Sequence, residues 1–170
     1  LTTEEHTGYT NNSGYSYSGF EGAEVTIEGD KITAGATEDM VFEVKASGTG
    51  YTIQHVETGK YLAATYTQNS GADSYTGRLY LSDTAEVWEW DSTTGYLKHP
   101  GASNNGRNVN LYLVYDNVDN NVSTGNQKNM FGIRSDSNDG KNMDRIDFYV
   151  IDVNDDHTHK YNAVVTAPTC

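Results

Sequence analysis

From residue 23 onward the chain keeps to one rhythm: short runs of alternating apolar and polar residues, cut repeatedly by turns rich in Gly, Asn and Ser. No window of about eleven residues or more repeats its apolar positions every 3.6 residues, so no long helix is expected. Alternation with a period of two is the signature of half-buried strands. It places strands over 23–28, 31–34, 40–46, 50–56, 60–67, 77–82, 86–91, 95–99, 108–116, 130–135 and 145–152. Between them lie Gly29-Asp30, Glu57-Thr58-Gly59, Ser92-Thr93-Thr94-Gly95 and the run from Gly101 to Gly106, all rich in residues that tolerate positive φ. About ten short strands with such turns define an all-β fold, an antiparallel β-sandwich or a barrel-like module.

Residues 1–22 hold no sustained period and read as an irregular segment or an edge strand. Residues 23–165 form the β module, and 166–170 read as the start of a linker. A motif recurs weakly, as T-G-K-Y-L at 58–62, T-G-R-L-Y-L at 76–81 and T-T-G-Y-L at 93–97. Its spacing is too short for a trefoil unit, so it reads as successive hairpins of one sheet system.

Charge narrows the partners. With 24 acidic against 11 basic residues the formal net charge is −13. That field opposes binding to nucleic acid and to anionic membrane surfaces. Neutral ligands and cations remain. The lone cysteine, Cys170, forms no internal disulfide. The abundance of Tyr (13) and Gly (17) beside so little Cys, Met and Pro suits a secreted or cell-surface bacterial protein.

Faces follow from alternation. In 108–116, Val109, Leu111, Leu113 and Tyr115 share one side, with Asn110, Tyr112 and Val114 on the other. Leu79 and Leu81 oppose Tyr80; Ile146, Phe148 and Val150 oppose Asp147 and Tyr149. The aliphatic sides are core. Tyr80, Tyr112 and Tyr149 are thus candidates for a solvent-side aromatic stripe, or else ordinary half-exposed strand residues.

Both tryptophans stand in EVWEWDSTTGYLKH, 86–99, two residues apart and therefore on one face of a strand. Each indole buries about 150–250 Å², and a core layer about 10 Å thick holds one more readily than two. Trp88 is therefore expected inside and Trp90 at the rim. An exposed indole among tyrosines suits the apolar face of a pyranose, whose hydroxyls find partners in nearby polar turns. The expected surface holds Trp90 with Trp88 and some of Tyr66, Tyr80, Tyr96, Tyr112 and Tyr115, with Lys98, Asn105 and Asn117 as hydrogen-bond partners. His99, Asn104, Gln68 and Asn69 are polar neighbours. On this view Trp90→Ala lowers glycan affinity at least tenfold, about 1.4 kcal/mol, with little change in melting temperature.

The ordered series F-E-V, G-Y-T-I-Q, T-G-K-Y-L-A-A, R-L-Y-L-S-D, V-W-E-W-D, G-Y-L-K, N-L-Y-L-V-Y-D-N, F-G-I and I-D-F-Y-V-I covers roughly residues 40–152. It resembles the non-catalytic starch-binding modules of amylosome and cell-surface starch-adherence proteins of gut bacteria. That resemblance implies recognition of α-1,4-glucan, with Trp88 and Trp90 as the aromatic pair, by a module of a larger secreted protein.

Catalytic signatures are missing from the sequence: no G-x-S-x-G, H-E-x-x-H or phosphate-binding loop occurs. Among so many carboxylates, nominating a glycosidase pair has no content, so no enzyme is expected. The turn from Asp136 to Asp144 has the look of D-x-N-x-D-G, which makes Asp136, Asn138, Asp139 and Asp144 candidates for structural calcium. Its Gly comes one position early and no glutamate closes it, so a solvated acidic loop is the competing reading. Asp152 to Asp156 is a second oxygen-rich turn, and His157 with His159 beside Asp155 and Asp156 is a zinc candidate. No other cofactor is expected. The rival to the glycan reading is a protein-binding or spacer module, marked by an exposed apolar edge.

Overall fold

The computed structural model describes residues 1–10, 16–68, 75–104, 107–116, 129–135 and 145–151. Strands run over Glu5–Thr10 (β1), Ser16–Glu21 (β2), Thr26–Glu28 (β3), Lys31–Ala34 (β4), Phe42–Ser47 (β5), Gly50–His55 (β6) and Tyr61–Gln68 (β7). They continue with Tyr75–Ser82 (β8), Glu89–Asp91 (β9), Tyr96–Asn104 (β10), Arg107–Asp116 (β11), Met130–Ser135 (β12) and Val150–Ile151 (β13). The one helical turn among the described residues is 3₁₀, at Glu38–Met40. The expected all-β class is what the chain adopts.

Most strands make one ten-stranded sheet in the order β5-β6-β7-β8-β2-β12-β11-β10-β9, with β1 paired to β2 off this path. A small sheet, β13-β4-β3, stands apart from it. The large sheet curls until the segment before its last strand, β9, reaches its second strand, β6. Tyr51 on β6 and Trp88, just before β9, exchange two backbone hydrogen bonds of 2.7 Å. Beyond Gln54, where β6 pairs with β7, its edge is free to accept Trp88. The result is a curled sheet closed at one point, a way to remove exposed strand edges.

Turn chemistry sets the hairpins. Gly29, Gly48, Gly59 and Gly95 all take positive φ, at 65°, 58°, 68° and 76°, as the turn residues in the sequence demand. The core lies on the concave face. Phe20, Leu62, Leu79, Trp88, Leu97, Leu111 and Ile133 are each at most 2% exposed. Leu81, Ile146 and Phe148 pack against this core, on the sides that alternation assigned them. Trp88 is the largest of the fully buried side chains, and its indole N–H donates to the Leu62 carbonyl at 2.8 Å. The buried indole donor is thereby satisfied.

Several expectations need correction. Within 1–22, β1 pairs with β2 alone, as an edge strand does, but β2 lies inside the sheet: it is hydrogen-bonded to both β8 and β12, and Phe20 is 1% exposed. Two pairs, β2 with β8 and β13 with β4, are parallel, so the sheets are mixed rather than wholly antiparallel. The strand expected over 145–152 shrinks to Val150–Ile151; residues 145–149 are held by other contacts, and 152 lies outside the described residues. The strand expected over 86–91 is only Glu89–Asp91. The turn expected from Gly101 is strand as far as Asn104, with a register shift between His99 and Ala102. The strand expected over 77–82 begins earlier, at Tyr75, so that Gly77 sits buried within β8 opposite Tyr66.

Candidate functional site

The turn after β9 is built locally. The Asp91 carboxylate accepts the Thr93 amide at 2.8 Å and the Thr94 amide at 3.4 Å, and the Gly95 amide closes on the Asp91 carbonyl at 2.6 Å. Such side-chain-to-backbone bonds are why Asp starts turns. The Thr93 amide above all, with the Thr94 hydroxyl next, holds the Asp91 carboxyl below the usual carboxylate range. Asp91 is thus an oriented, ionised acceptor on the surface.

The turn sends β10 back beside β9, pairing Asp91 with Tyr96, Trp90 with Leu97 and Glu89 with Lys98. Directly opposed residues share a face. Leu97 is 1% exposed and core, so Trp90 points inward while Glu89, Asp91, Tyr96 and Lys98 point outward. On the other side of β10, Lys98 pairs with Tyr112 of β11. Tyr96 and Tyr112 meet nearly at right angles, 86° between ring planes and 6.0 Å between centroids. Lys98 Nζ lies 2.6 Å from Glu89 Oε2, both side chains part-exposed. In that setting the pair adds little stability but fixes where each polar head sits.

Together with Thr49, from the β5–β6 turn, these residues enclose an open groove of about 420 Å³ whose lining also includes Trp90. The groove offers two ionised acceptors, one ammonium donor, a threonine hydroxyl and two phenols, one ring set edge-on to the other. It suits a ligand with a flat apolar face and several hydroxyls.

Of the residues named from sequence, the structure brings together Tyr96, Lys98 and Tyr112, with Trp90 behind them. The rest disperse. Trp88 is 0% exposed and meets no ligand. Trp90 is part-buried and lines the groove; its N–H donates to the Ile146 carbonyl at 3.2 Å, and Phe148 meets its ring edge-on at 6.2 Å. The 145–148 segment packs on part of the indole. Tyr66 is 4% exposed, within the core. Tyr115 is 37% exposed but lies on the Leu111–Leu113 side of β11 against Phe131, away from Tyr112. Its hydroxyl donates to Asn129 Oδ1 at 2.5 Å.

Tyr80 is on the outer face of β8 under the Arg78 guanidinium, 5.2 Å from its centroid. Burial pushes its phenol upward, with Glu86 adding and Arg78 opposing. Strands β2 and β12 separate β8 from β11, and Tyr149 is in no strand, so no stripe of Tyr80, Tyr112 and Tyr149 forms. His99 faces inward, Nε2 2.7 Å from Glu86 Oε2 and its ring edge-on to Trp88 at 5.1 Å. The same carboxylate oxygen accepts the Ala64 amide at 3.1 Å. These contacts brace the closure beside Trp88. Asn105, Asn117 and Asn69 lie outside the described residues, as do the side chains of Asn104 and Gln68.

Sequence reasoning missed Thr49, Glu89 and Asp91. The signal for two of them was present: alternation sets Glu89 and Asp91 opposite the indoles, and the groove formed on that acidic side. Thr49 carried no signal, because closure alone brings it near β9.

Among the described residues, no group of three or more His, Cys, Asp or Glu side chains is placed to hold a metal ion. The calcium candidates Asp136, Asn138, Asp139 and Asp144, the turn 152–156 and the zinc candidates His157 and His159 lie outside those residues. No helix among them is long and apolar enough to cross a membrane. Fold and groove together define an all-β module with a polar, tyrosine-walled surface site. No protein-family model, curated protein or solved structure matches the chain.

Proposed function

We propose that the protein is a non-catalytic carbohydrate-binding module for a neutral polysaccharide, α-1,4-glucan first. It would hold a larger secreted or cell-surface bacterial protein on its substrate. The observation that carries this reading is the meeting of Tyr96 and Tyr112 at right angles beside Asp91, Glu89 and Lys98. A pyranose presents C–H groups on one face, which pack on a phenol ring. Its hydroxyls each donate and accept, which the carboxylates and the ammonium satisfy. A neutral polymer also pays no electrostatic penalty for approaching a chain of charge −13. The binding tyrosines of this reading are Tyr96 and Tyr112; the indoles brace the wall behind them.

A second reading, a protein-binding or spacer module, draws on one observation. Ile27 of β3 is 43% exposed at the edge of the small sheet. One side chain is a small patch beside the several hundred Å² that mark interaction sites, so it ranks second.

Affinity electrophoresis separates the two. In gels cast with amylopectin, glycogen, xylan or β-glucan, the protein should be retarded by the two α-glucans. Tyr112→Ala should weaken that retardation about tenfold in apparent Kd, about 1.4 kcal/mol, at unchanged melting temperature. Free migration in all four gels would leave the protein-binding reading.

A further inference from the structure

Crossing the strands at right angles, the outer face carries a continuous row. Glu89 of β9 pairs with Lys98 of β10, Lys98 with Tyr112 of β11, and Tyr112 with Arg134 of β12. Opposed residues of antiparallel strands have Cβ atoms about 4.5–5.5 Å apart on one face. Three steps of about 4.8 Å give a track about 14 Å long, longer than one pyranose ring. The groove takes in the first three members of the row. Arg134, part-exposed, stands one strand beyond it.

Charge along this track departs from that of the chain. The whole protein carries 24 acidic and 11 basic residues. Here Glu89 and Asp91 are matched by Lys98 and Arg134, so the local field is close to balanced. A surface of fixed but cancelling charges, with the Tyr96 and Tyr112 rings in its midst, favours a polyol over an ion. Arginine suits the far end: its planar fork of donors can reach two neighbouring hydroxyls at once.

We propose that the groove is one end of an oligosaccharide track laid across β9 to β12, and that Arg134 is a further binding residue. Its guanidinium donates to hydroxyls of the sugar next to the one packed on Tyr112. This inference rests on the carbohydrate reading and adds to it the direction and length of the ligand.

Titration calorimetry of the full chain with maltose, maltotriose, maltotetraose and maltohexaose tests it. Affinity should rise about tenfold from maltose to maltotetraose and then level off. Arg134→Met keeps the aliphatic stem and removes the fork. It should lower maltotetraose affinity about fivefold and leave maltose within about twofold. Equal affinity for all four sugars overturns the track, and so does Arg134→Met acting alike on every length or on none. The length series needs no variant, so a folding defect in Arg134→Met cannot shelter the proposal. Loss of the carbohydrate reading looks different: no maltooligosaccharide binds at all, and the gels show no retardation.

Discussion

Trp88 and Trp90 differ in what covers them, not in which way they point. Both face inward, as their spacing requires. Trp88 is covered by the core itself, whereas Trp90 is partly covered by Ile146 and Phe148, more than fifty residues further along the chain. Local periodicity reports the face of a side chain and is silent on a lid that arrives from elsewhere. That is why the sequence places Trp88 inside and Trp90 nearer the rim but does not show that Ile146 and Phe148 pack on Trp90. Trp88→Ala should cost about 3–5 kcal/mol, read as a lowered urea midpoint with unchanged slope. Trp90→Ala should also lower stability, by about 2–3 kcal/mol, since it removes a part-buried indole and strands the Ile146 carbonyl. A Trp90→Ala protein as stable as the parent but weak in glycan binding would restore the solvent-facing indole.

Asp91 gives the residue scale a pH signature. Its carboxyl is held low by the Thr93 amide first and the Thr94 hydroxyl next. A depressed folded value means that the turn is stabilised above the carboxyl's unfolded value of about 3.9, and that this contribution is lost as pH falls through the lower folded one. Glycan binding and the Thr93 amide resonance should therefore hold steady from pH 7 to about pH 5. The Thr93 resonance should move only below about pH 3.9. Movement centred above pH 5 would show that Asp91 does not hold the turn.

Among the elements, the hairpins were legible because their chemistry is local. The β9–β10 turn, with Asp91 at its start and Gly95 at φ 76°, could be read from five residues. Strand β2 could not. Its Gly19 looks like a breaker, yet the strand needs it: a Cβ there would stand 1.9 Å from the Phe131 carbonyl oxygen. Glycine marks a close approach of two backbones, and nothing in S-Y-S-G-F-E names the partner strand. Gly19→Ala should force β2 away from β12 and cost about 3 kcal/mol, the upper end of overpacking, measured by urea melting. A cost below about 1 kcal/mol would mean that the two strands separate easily.

At the scale of the whole molecule, the groove exists because the sheet closes. Thr49 adjoins Gly50 at the start of β6, and Glu89 follows Trp88 at the start of β9. The Tyr51–Trp88 bridge joins those two segments through its paired 2.7 Å hydrogen bonds. Gly50 is what lets them meet, since a Cβ there would lie 2.3 Å from the Trp88 carbonyl oxygen. The Lys98–Glu89 pair and the Thr49 hydroxyl therefore face one ligand only while the bridge holds. Gly50→Ala should open it at a cost of about 1–3 kcal/mol, with faster hydrogen exchange at the Tyr51 and Trp88 amides than elsewhere in β6. Amylopectin retardation should weaken in the same variant, although Gly50 itself lines no part of the groove. Unchanged protection of the Trp88 amide would show that the bridge does not carry the closure. Faster exchange with undiminished retardation would show that β10 and β11 bind sugar without the Thr49 wall.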